Sequence, residues 1–453
     1  MALSASASAS ASALSLSSGQ QEAFDKYKLG ENVFVTGPGG TGKSVIIREM
    51  VNDAKLNGRN VQVCALTGTA AVILQCGAKT VHSWAGIGLG NGDIKAVANK
   101  VNKSKYKKRN WKGVDILIVD EVSMMSLKLF ELLEYTARLC RKDVRPFGGI
   151  QVVFTGDFYQ LPPVGNTDEP ETCQFCFESL LWNQIFHNQI QLVTIFRQKD
   201  DLYKKILNQI RVGRLTKSVL AKLKEYVGRT VEKDAQILPT ILYPTRRRVD
   251  DMNSRSLKAL SGDEREYNYG KVNELDLSLT DEQKGLSNIF TREQRETELK
   301  YMVDNINFDK KLVLKVGAQV MCIANVDMNS ETPICNGSQG VVISFSCDGY
   351  PVIQFKNGCV RTMEGHIWQS ETIPSVAIKQ IPLILAWAVT IHKSQGATLD
   401  HAEIDIGSNI FECGQTYVAL SRVMSLDGLY LKSFDPSKIL INKKVRDFYQ
   451  GLV

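Results

Sequence analysis

At 453 residues, with 43% hydrophobic and 23% charged side chains, the chain exceeds what one core supports and reads as two or more soluble globular domains. No run of about 18 apolar residues occurs, so a membrane-spanning helix is not expected. The 55 basic and 48 acidic residues leave a net charge of +7, which permits a polyanionic partner without identifying one.

Residues 1–18 alternate Ser and Ala with a few Leu, a low-complexity tail that cannot bury enough to fold and is expected to be disordered. A mitochondrial transit peptide is also Ser-rich and acid-poor, but it carries Arg, and none precedes Arg48. Next, Val33, Phe34 and Val35 lead into Gly37-Pro38-Gly39-Gly40-Thr41-Gly42-Lys43-Ser44, after which Val45, Ile46 and Met50 follow at helical spacing. This strand, loop and helix match GxxxxGK[ST], in which glycines turn backbone N–H groups toward phosphate oxygens. Lys43 is expected at the β- and γ-phosphates of ATP, and Ser44 on Mg²⁺.

Between Gly86 and Val114 the chain is Gly-rich and then Lys-rich, with Tyr106 and Trp111 among Lys103, Lys105, Lys107, Lys108 and Arg109. Such a segment is equally a solvated loop or a track for a phosphate backbone. Residues 114–119 form an apolar strand that delivers Asp120 and Glu121. Asp120 can hold Mg²⁺ while Glu121 polarises the attacking water, a division that hydrolysis requires and mere binding does not. A third buried strand, 151–155, leads to Gly156-Asp157-Phe158-Tyr159-Gln160 and a Pro-rich turn. There Gln160 could sense the γ-phosphate. Of the ten cysteines, most sit in apolar runs as packed thiols, and the single CxxC, Cys173 and Cys176, lacks a second ligand pair for zinc.

Farther on, residues 254–309 are charged and poorly patterned, whereas 312–321, 340–345 and 352–355 alternate as strands of a small β-barrel. Arg197 and Arg422 lie far from the P-loop in sequence, but an ATPase motor needs positive charge at the γ-phosphate when its domains close.

Several further segments, in this order, extend the pattern: Thr67-Gly68-Thr69-Ala70-Ala71, Thr80-Val81-His82-Ser83-Trp84-Ala85-Gly86, Phe196-Arg197-Gln198, Leu242-Tyr243-Pro244-Thr245, His392-Lys393-Ser394-Gln395-Gly396, and 415–422 ending in Ser421-Arg422. Together with the P-loop and the Asp120-Glu121 strand they resemble a superfamily 1 helicase of the Pif (petite integration frequency) family, related to RecD. Phe177-Glu178-Ser179, Trp182 and Arg211-Val212-Gly213 resemble the stretch that sets this family apart. Gly19 departs from the acid that the family tends to place before its adenine-reading glutamine, here Gln20.

The resemblance implies an α/β fold of two tandem RecA-like P-loop motor domains. The first would span 19–185 with a wedge insertion at about 86–112. The second would combine 186–254 with 381–453, interrupted by an insertion at 255–380 that holds an SH3-like β-barrel at about 312–380. It implies an ATP- and Mg²⁺-dependent helicase moving 5′ to 3′ on single-stranded DNA and opening forks, in replication, repair, recombination or telomere maintenance. The nucleotide site would comprise Gln20, Gly37, Gly39, Gly40, Thr41, Gly42, Lys43, Ser44, Gln395 and Gly396, with Asp120 on the metal and Glu121, Gln160, Arg197 and Arg422 acting in catalysis. Thr67, Thr69, His82 and Ser83 in the first domain, and Thr390, His392 and Lys393 in the second, are candidates for DNA phosphates. Phe158, Tyr159 and Trp84 are candidates for stacking on bases, with core packing the simpler reading of Trp84. An intracellular site of action is expected, in the nucleus, at a viral replication site or in the mitochondrion, with the chain working as a monomer away from membranes. Two alternatives stay open: an RNA helicase or nucleic-acid-stimulated remodeller, and an ATP-binding scaffold, against which the full catalytic set speaks.

Overall fold

A computed structural model describes residues 16–452 apart from 75, 89, 231–236, 307, 328–331, 333, 371–372 and 396. The chain builds two parallel α/β units and an antiparallel insertion. The first sheet contains β1 (Val33–Thr36), β2 (Val61–Ala65), β3 (Lys79–Thr80), β4 (Ile116–Asp120), β5 (Gln151–Gly156) and β6 (Asn188–Gln191). Its order is β3-β2-β4-β5-β1-β6, with every pairing parallel. Strands β1, β4 and β5 are buried along their whole length, as expected where helices cover both faces. The order reverses between β4, β5 and β1, and the loops leaving their carboxyl ends therefore converge on one crevice.

The second unit has four parallel strands in the order Ala388–Thr390, Thr240–Tyr243, Ala402–Ile406 and Leu429–Phe434. The helix Asp201–Val212 packs Tyr203, Ile206, Leu207 and Ile210 into its core. The expected alternating strands of the insertion are present as antiparallel pairs, Gln319–Cys322 with Gln339–Phe345 and the latter with Pro351–Phe355, around Val320, Val342, Ile353 and Phe355. Among the described residues no helix is long and apolar enough to cross a membrane.

Three boundaries differ from the sequence expectation. Strand β6 pairs with β1, so the first unit continues past 185. The strand Leu383–Leu385 pairs with Gln319–Cys322, so the insertion's sheet extends beyond 380. Most consequentially, the helix Lys443–Gln450 leaves the second unit and packs in the first: Phe448 lies on Phe177 at 4.4 Å between ring centroids, and Val445 and Tyr449 join the same core as Phe34 and Trp182. Its amphipathic spacing announces a buried face without saying which domain buries it.

Two charged stretches also gain structure. The Lys-rich segment forms the helices Ile94–Lys103 and Lys105–Gly113, which turn Val97, Ala98, Val101 and Trp111 inward while Lys103, Lys105 and Arg109 stay exposed. Trp111 donates its indole N–H to the Ala85 carbonyl at 3.1 Å, and its ring packs on Trp84. Residues 254–309 contain the helices Asp281–Asn288 and Arg292–Asn305, the second capped by Thr291. Tyr106 meets Phe290 edge-on at 4.8 Å, joining the Lys-rich helices to the insertion.

Candidate nucleotide cleft and nucleic-acid face

The P-loop runs from the carboxyl end of β1 into the helix Lys43–Leu56, so the Lys43 and Ser44 amides lie in the helix's first turn, where N–H groups lack helical partners. Gly40 (φ 85°) and Gly42 (φ 78°) adopt left-handed conformations. Both also allow close approach: a Cβ on Gly40 would lie 2.6 Å from Arg197 Cβ, and one on Gly42 would lie 2.4 Å from Gln20 Nε2. Gln20, buried on the helix Ser18–Lys28, donates Nε2 to the Thr41 and Gly42 carbonyl oxygens at 3.2 and 3.3 Å. Thr41 turns its hydroxyl back onto the Pro38 carbonyl at 2.9 Å, and therefore shapes the loop with its side chain.

A cavity of about 210 Å³ is lined by Gly39, Gly40, Gly42, Lys43, Ser44, Asp120, Glu121, Gln160, Arg197 and Arg422. The two halves of the predicted site, far apart in sequence, share this space. Lys43 Nζ donates to the Gly37 and Pro38 carbonyls at 2.7 and 3.1 Å, and burial lowers its pKa against the pull of Asp157, Glu121 and Asp120. Asp120 ends β4; its carboxylate accepts from the Thr155 hydroxyl and, at 2.8 Å, from the Glu121 amide. Burial raises its pKa, opposed by those two bonds and by Lys43. Glu121 sits at φ 57°, a left-handed conformation that costs a non-glycine residue about 1–3 kcal/mol and turns its side chain into the cleft. Burial, then the neighbouring Asp120, raises its pKa.

Gln395 Nε2 reaches from the second unit to Glu121 Oε2 at 3.2 Å and lies 3.5 Å from Gln160 Oε1. Arg197 donates to the Ser421 carbonyl at 3.3 Å, and Arg422 to the Val418 carbonyl at 3.0 Å and the Ser421 hydroxyl at 2.8 Å. Burial lowers the pKa of Arg422 to about 9, with Arg197 adding repulsion, and burial also lowers that of Arg197; Glu121 opposes both shifts. Two guanidiniums facing one buried acid across a cavity suit an anionic ligand. Ser44 and Asp120 offer a hydroxyl and a carboxylate, the hard oxygen donors that Mg²⁺ prefers.

The proposed DNA contacts divide into two groups. In the first unit, His82 and Ser83 lie on the short helix Val81–Ala85, and His82 lines a groove of about 580 Å³ with Lys128 and Asn166. Burial lowers its pKa, favouring neutral imidazole. Thr67 accepts from the Ala70 amide at 3.2 Å and thus caps the helix Gly68–Leu74. In the second unit, Thr390 accepts from the Lys393 amide at 3.1 Å, which leaves Lys393 exposed and His392 half-buried. The side chain of Thr69 and all of Gly396 lie outside the described residues.

Phe158 is a correction. Its ring is 2% exposed and sits among Phe34, Phe177 and Phe448 at 5.3, 4.7 and 5.3 Å, so it offers no face to a base. Tyr159 stacks on Tyr449 at 4.7 Å, and Trp84 is a core residue. Sequence reading passed over Thr155, which holds Asp120, and Tyr417, whose hydroxyl accepts from the Gly39 amide at 2.9 Å. A polar residue closing a buried strand was the available signal for Thr155, and for Tyr417 a tyrosine within the segment ending in Arg422.

The profile for PIF1-like helicases matches residues 15–220, and that for the 2B domain of DNA helicase Pif1 matches 302–345. The chain is 37% identical to the ATP-dependent DNA helicase PIF1 of Danio rerio over 93% of its own length and 62% of that protein's. It thus spans less than two thirds of this curated relative. The crystal structure of Pif1 helicase from Candida albicans is 35% identical, with a TM-score of 0.76 over 97% of this chain and all of that one. Bacteroides Pif1, 28% identical, was solved with ADP-AlF4 (TM-score 0.76 over 97% of each chain) and, at 27%, bound to single-stranded DNA (TM-score 0.65). A fold shared over 97% of the chain at 35% identity, together with the matching family profiles, assigns this chain to the PIF1-like helicase family.

Proposed function

We propose that this chain is an ATP-dependent DNA helicase that translocates 5′ to 3′ on single-stranded DNA and unwinds duplexes. One observation carries the reading: Glu121 of the first unit, bonded to Gln395 of the second, shares a cavity with Lys43, Arg197 and Arg422. A cleft walled by both units turns hydrolysis into relative motion of those units. Binding without hydrolysis gives no reason for a buried acid facing two arginines.

In this reading Gln20 recognises adenine and the loop amides and Lys43 hold the phosphates. Ser44 and Asp120 hold Mg²⁺, which would neutralise phosphate charge. Glu121 orients and deprotonates the attacking water, and Gln160 and Gln395 report the γ-phosphate across the cleft. Arg197 and Arg422 take up charge on the transferred phosphoryl group. Thr67, Thr69, His82 and Ser83 grip the strand on one unit and Thr390, His392 and Lys393 on the other, so alternate release moves the DNA. The insertion, read as an SH3-like module, would hold DNA at the exit or fork. Because one chain supplies both cleft walls, a monomer suffices. The place of work would be where DNA is copied or repaired: nucleus, viral replication site or mitochondrion. Polarity rests on family likeness.

The test is unwinding of partial duplexes carrying only a 5′ or only a 3′ tail, with DNA and RNA tails compared. Preference for the 5′ DNA tail supports the proposal, and preference for the 3′ tail or for RNA overturns it.

A further inference from the structure

One short helix lies against both the P-loop and the Gln160 loop. Gln415–Leu420 begins at Gly414, where a Cβ would lie 2.3 Å from the Gln160 carbonyl, and it ends just before Ser421 and Arg422. Midway along it stands Tyr417, 2% exposed, whose hydroxyl accepts the Gly39 N–H at 2.9 Å. Gly39 is a P-loop residue that faces both arginines: a Cβ there would lie 3.6 Å from Arg422 Nη2 and 3.7 Å from Arg197 Nη1. The helix that precedes Arg422 therefore holds Gly39 of the P-loop through the Tyr417 hydroxyl, five residues before that guanidinium.

We propose that Tyr417 is a positioning residue for ATP hydrolysis: its hydroxyl fixes Gly39 against the helix and so sets the distance between the P-loop and Arg422. The proposal rests on the ATPase reading above. A glycine-rich loop has little stiffness of its own, and a misplacement near 1 Å can cost about 10²-fold in rate. Burial holds the Tyr417 phenol well above the ordinary tyrosine range, so it stays neutral and accepts the amide without presenting a negative charge to phosphate. Its effect concerns alignment rather than ground-state affinity. Loss of the hydroxyl should then lower kcat and leave the ATP KM nearly unchanged.

The experiment compares wild type, Tyr417→Phe, Arg422→Ala and the double variant. It uses steady-state hydrolysis stimulated by single-stranded DNA and, for slow variants, single-turnover hydrolysis with protein in excess. Tyr417→Phe is expected to reduce kcat about 10-fold, the size of one aligned hydrogen bond, with KM within about 2-fold. In the Arg422→Ala background it should cause no further loss, because the two residues act through one geometry. An unchanged kcat, a rise in KM alone, an equal loss in both backgrounds, or a fall in melting temperature large enough to explain the loss would each overturn the inference. An inactive wild type sinks the ATPase reading and the inference with it, whereas an active wild type with an indifferent Tyr417→Phe sinks only the inference.

Discussion

Asp157 and Arg211 form a two-pronged ion pair, Nε to Oδ2 at 2.9 Å and Nη2 to Oδ1 at 2.8 Å, with side chains 0% and 5% exposed. Asp157 follows β5, three residues before Gln160. Arg211 ends the helix whose other buried residues belong to the second unit. The guanidinium lies 4.6 and 5.1 Å from the ring centroids of Tyr159 and Tyr449, which stack on each other. The pair thus pins the two units beside the cleft. Breaking a buried pair leaves a charge without its partner, so Asp157→Asn should destabilise the protein by about 3–5 kcal/mol. Denaturant unfolding monitored by fluorescence measures this, and a loss under about 1 kcal/mol would show that water reaches the site.

Lys43→Ala should abolish hydrolysis and unwinding, because it removes the ammonium from the phosphate cradle. Glu121→Gln should still bind ATP but turn over about 10²–10⁴-fold more slowly, the range for loss of a general base. Filter binding of ATP beside a phosphate-release assay separates the two effects, and a Lys43→Ala protein with full activity would contradict the proposed site.

Glu121 must be ionised to accept a proton, and burial raises its pKa above the ordinary 4.5. The acid limb of the kcat/KM profile, which reports the free enzyme, should therefore lie above pH 4.5. Stability has the opposite sign. Between the ordinary and raised values the folded state binds more protons than the unfolded one, so this group's contribution declines as pH rises through the raised value. Melting the nucleotide-free protein across pH, with Glu121→Gln as the comparison, should show a steeper decline where Glu121 is present, because the neighbouring Asp120, also raised by burial, contributes in both proteins.

Phe158→Leu distinguishes a core ring from a DNA-stacking ring. A core role predicts a stability loss of about 1–3 kcal/mol with affinity for single-stranded DNA within about 2-fold. Base stacking predicts a loss of affinity worth about 1–3 kcal/mol with the fold intact. Fluorescence anisotropy with a labelled oligonucleotide, alongside thermal melting, decides between them.

The helix Lys443–Gln450 should be indispensable to the first unit although it follows the second in sequence. Phe448→Ala opens a cavity beside Phe34, Phe158, Phe177 and Trp182 and should cost about 3–5 kcal/mol. Urea unfolding followed by tryptophan emission reads this directly, since Trp182 lies 6.3 Å from the Phe448 ring.

The wall of the cleft that is contiguous in the chain is legible from local signals. An apolar strand, a glycine loop and a helix place Lys43 and Ser44, and a second apolar strand delivers Asp120 and Glu121, because such signals act over about ten residues. Ordered motifs added Arg197, Gln395 and Arg422. Which buried faces meet follows only from packing. The spacing of Phe448 and Tyr449 marks an amphipathic helix but not the unit that receives it, and the apolar ring of Phe158 suits a base as well as a core. Likewise, no local pattern can reveal that the Tyr417 hydroxyl lies on the Gly39 amide. Hydrophobic periodicity and motif spacing report that a side chain is buried or polar, whereas its partner depends on packing between segments hundreds of residues apart.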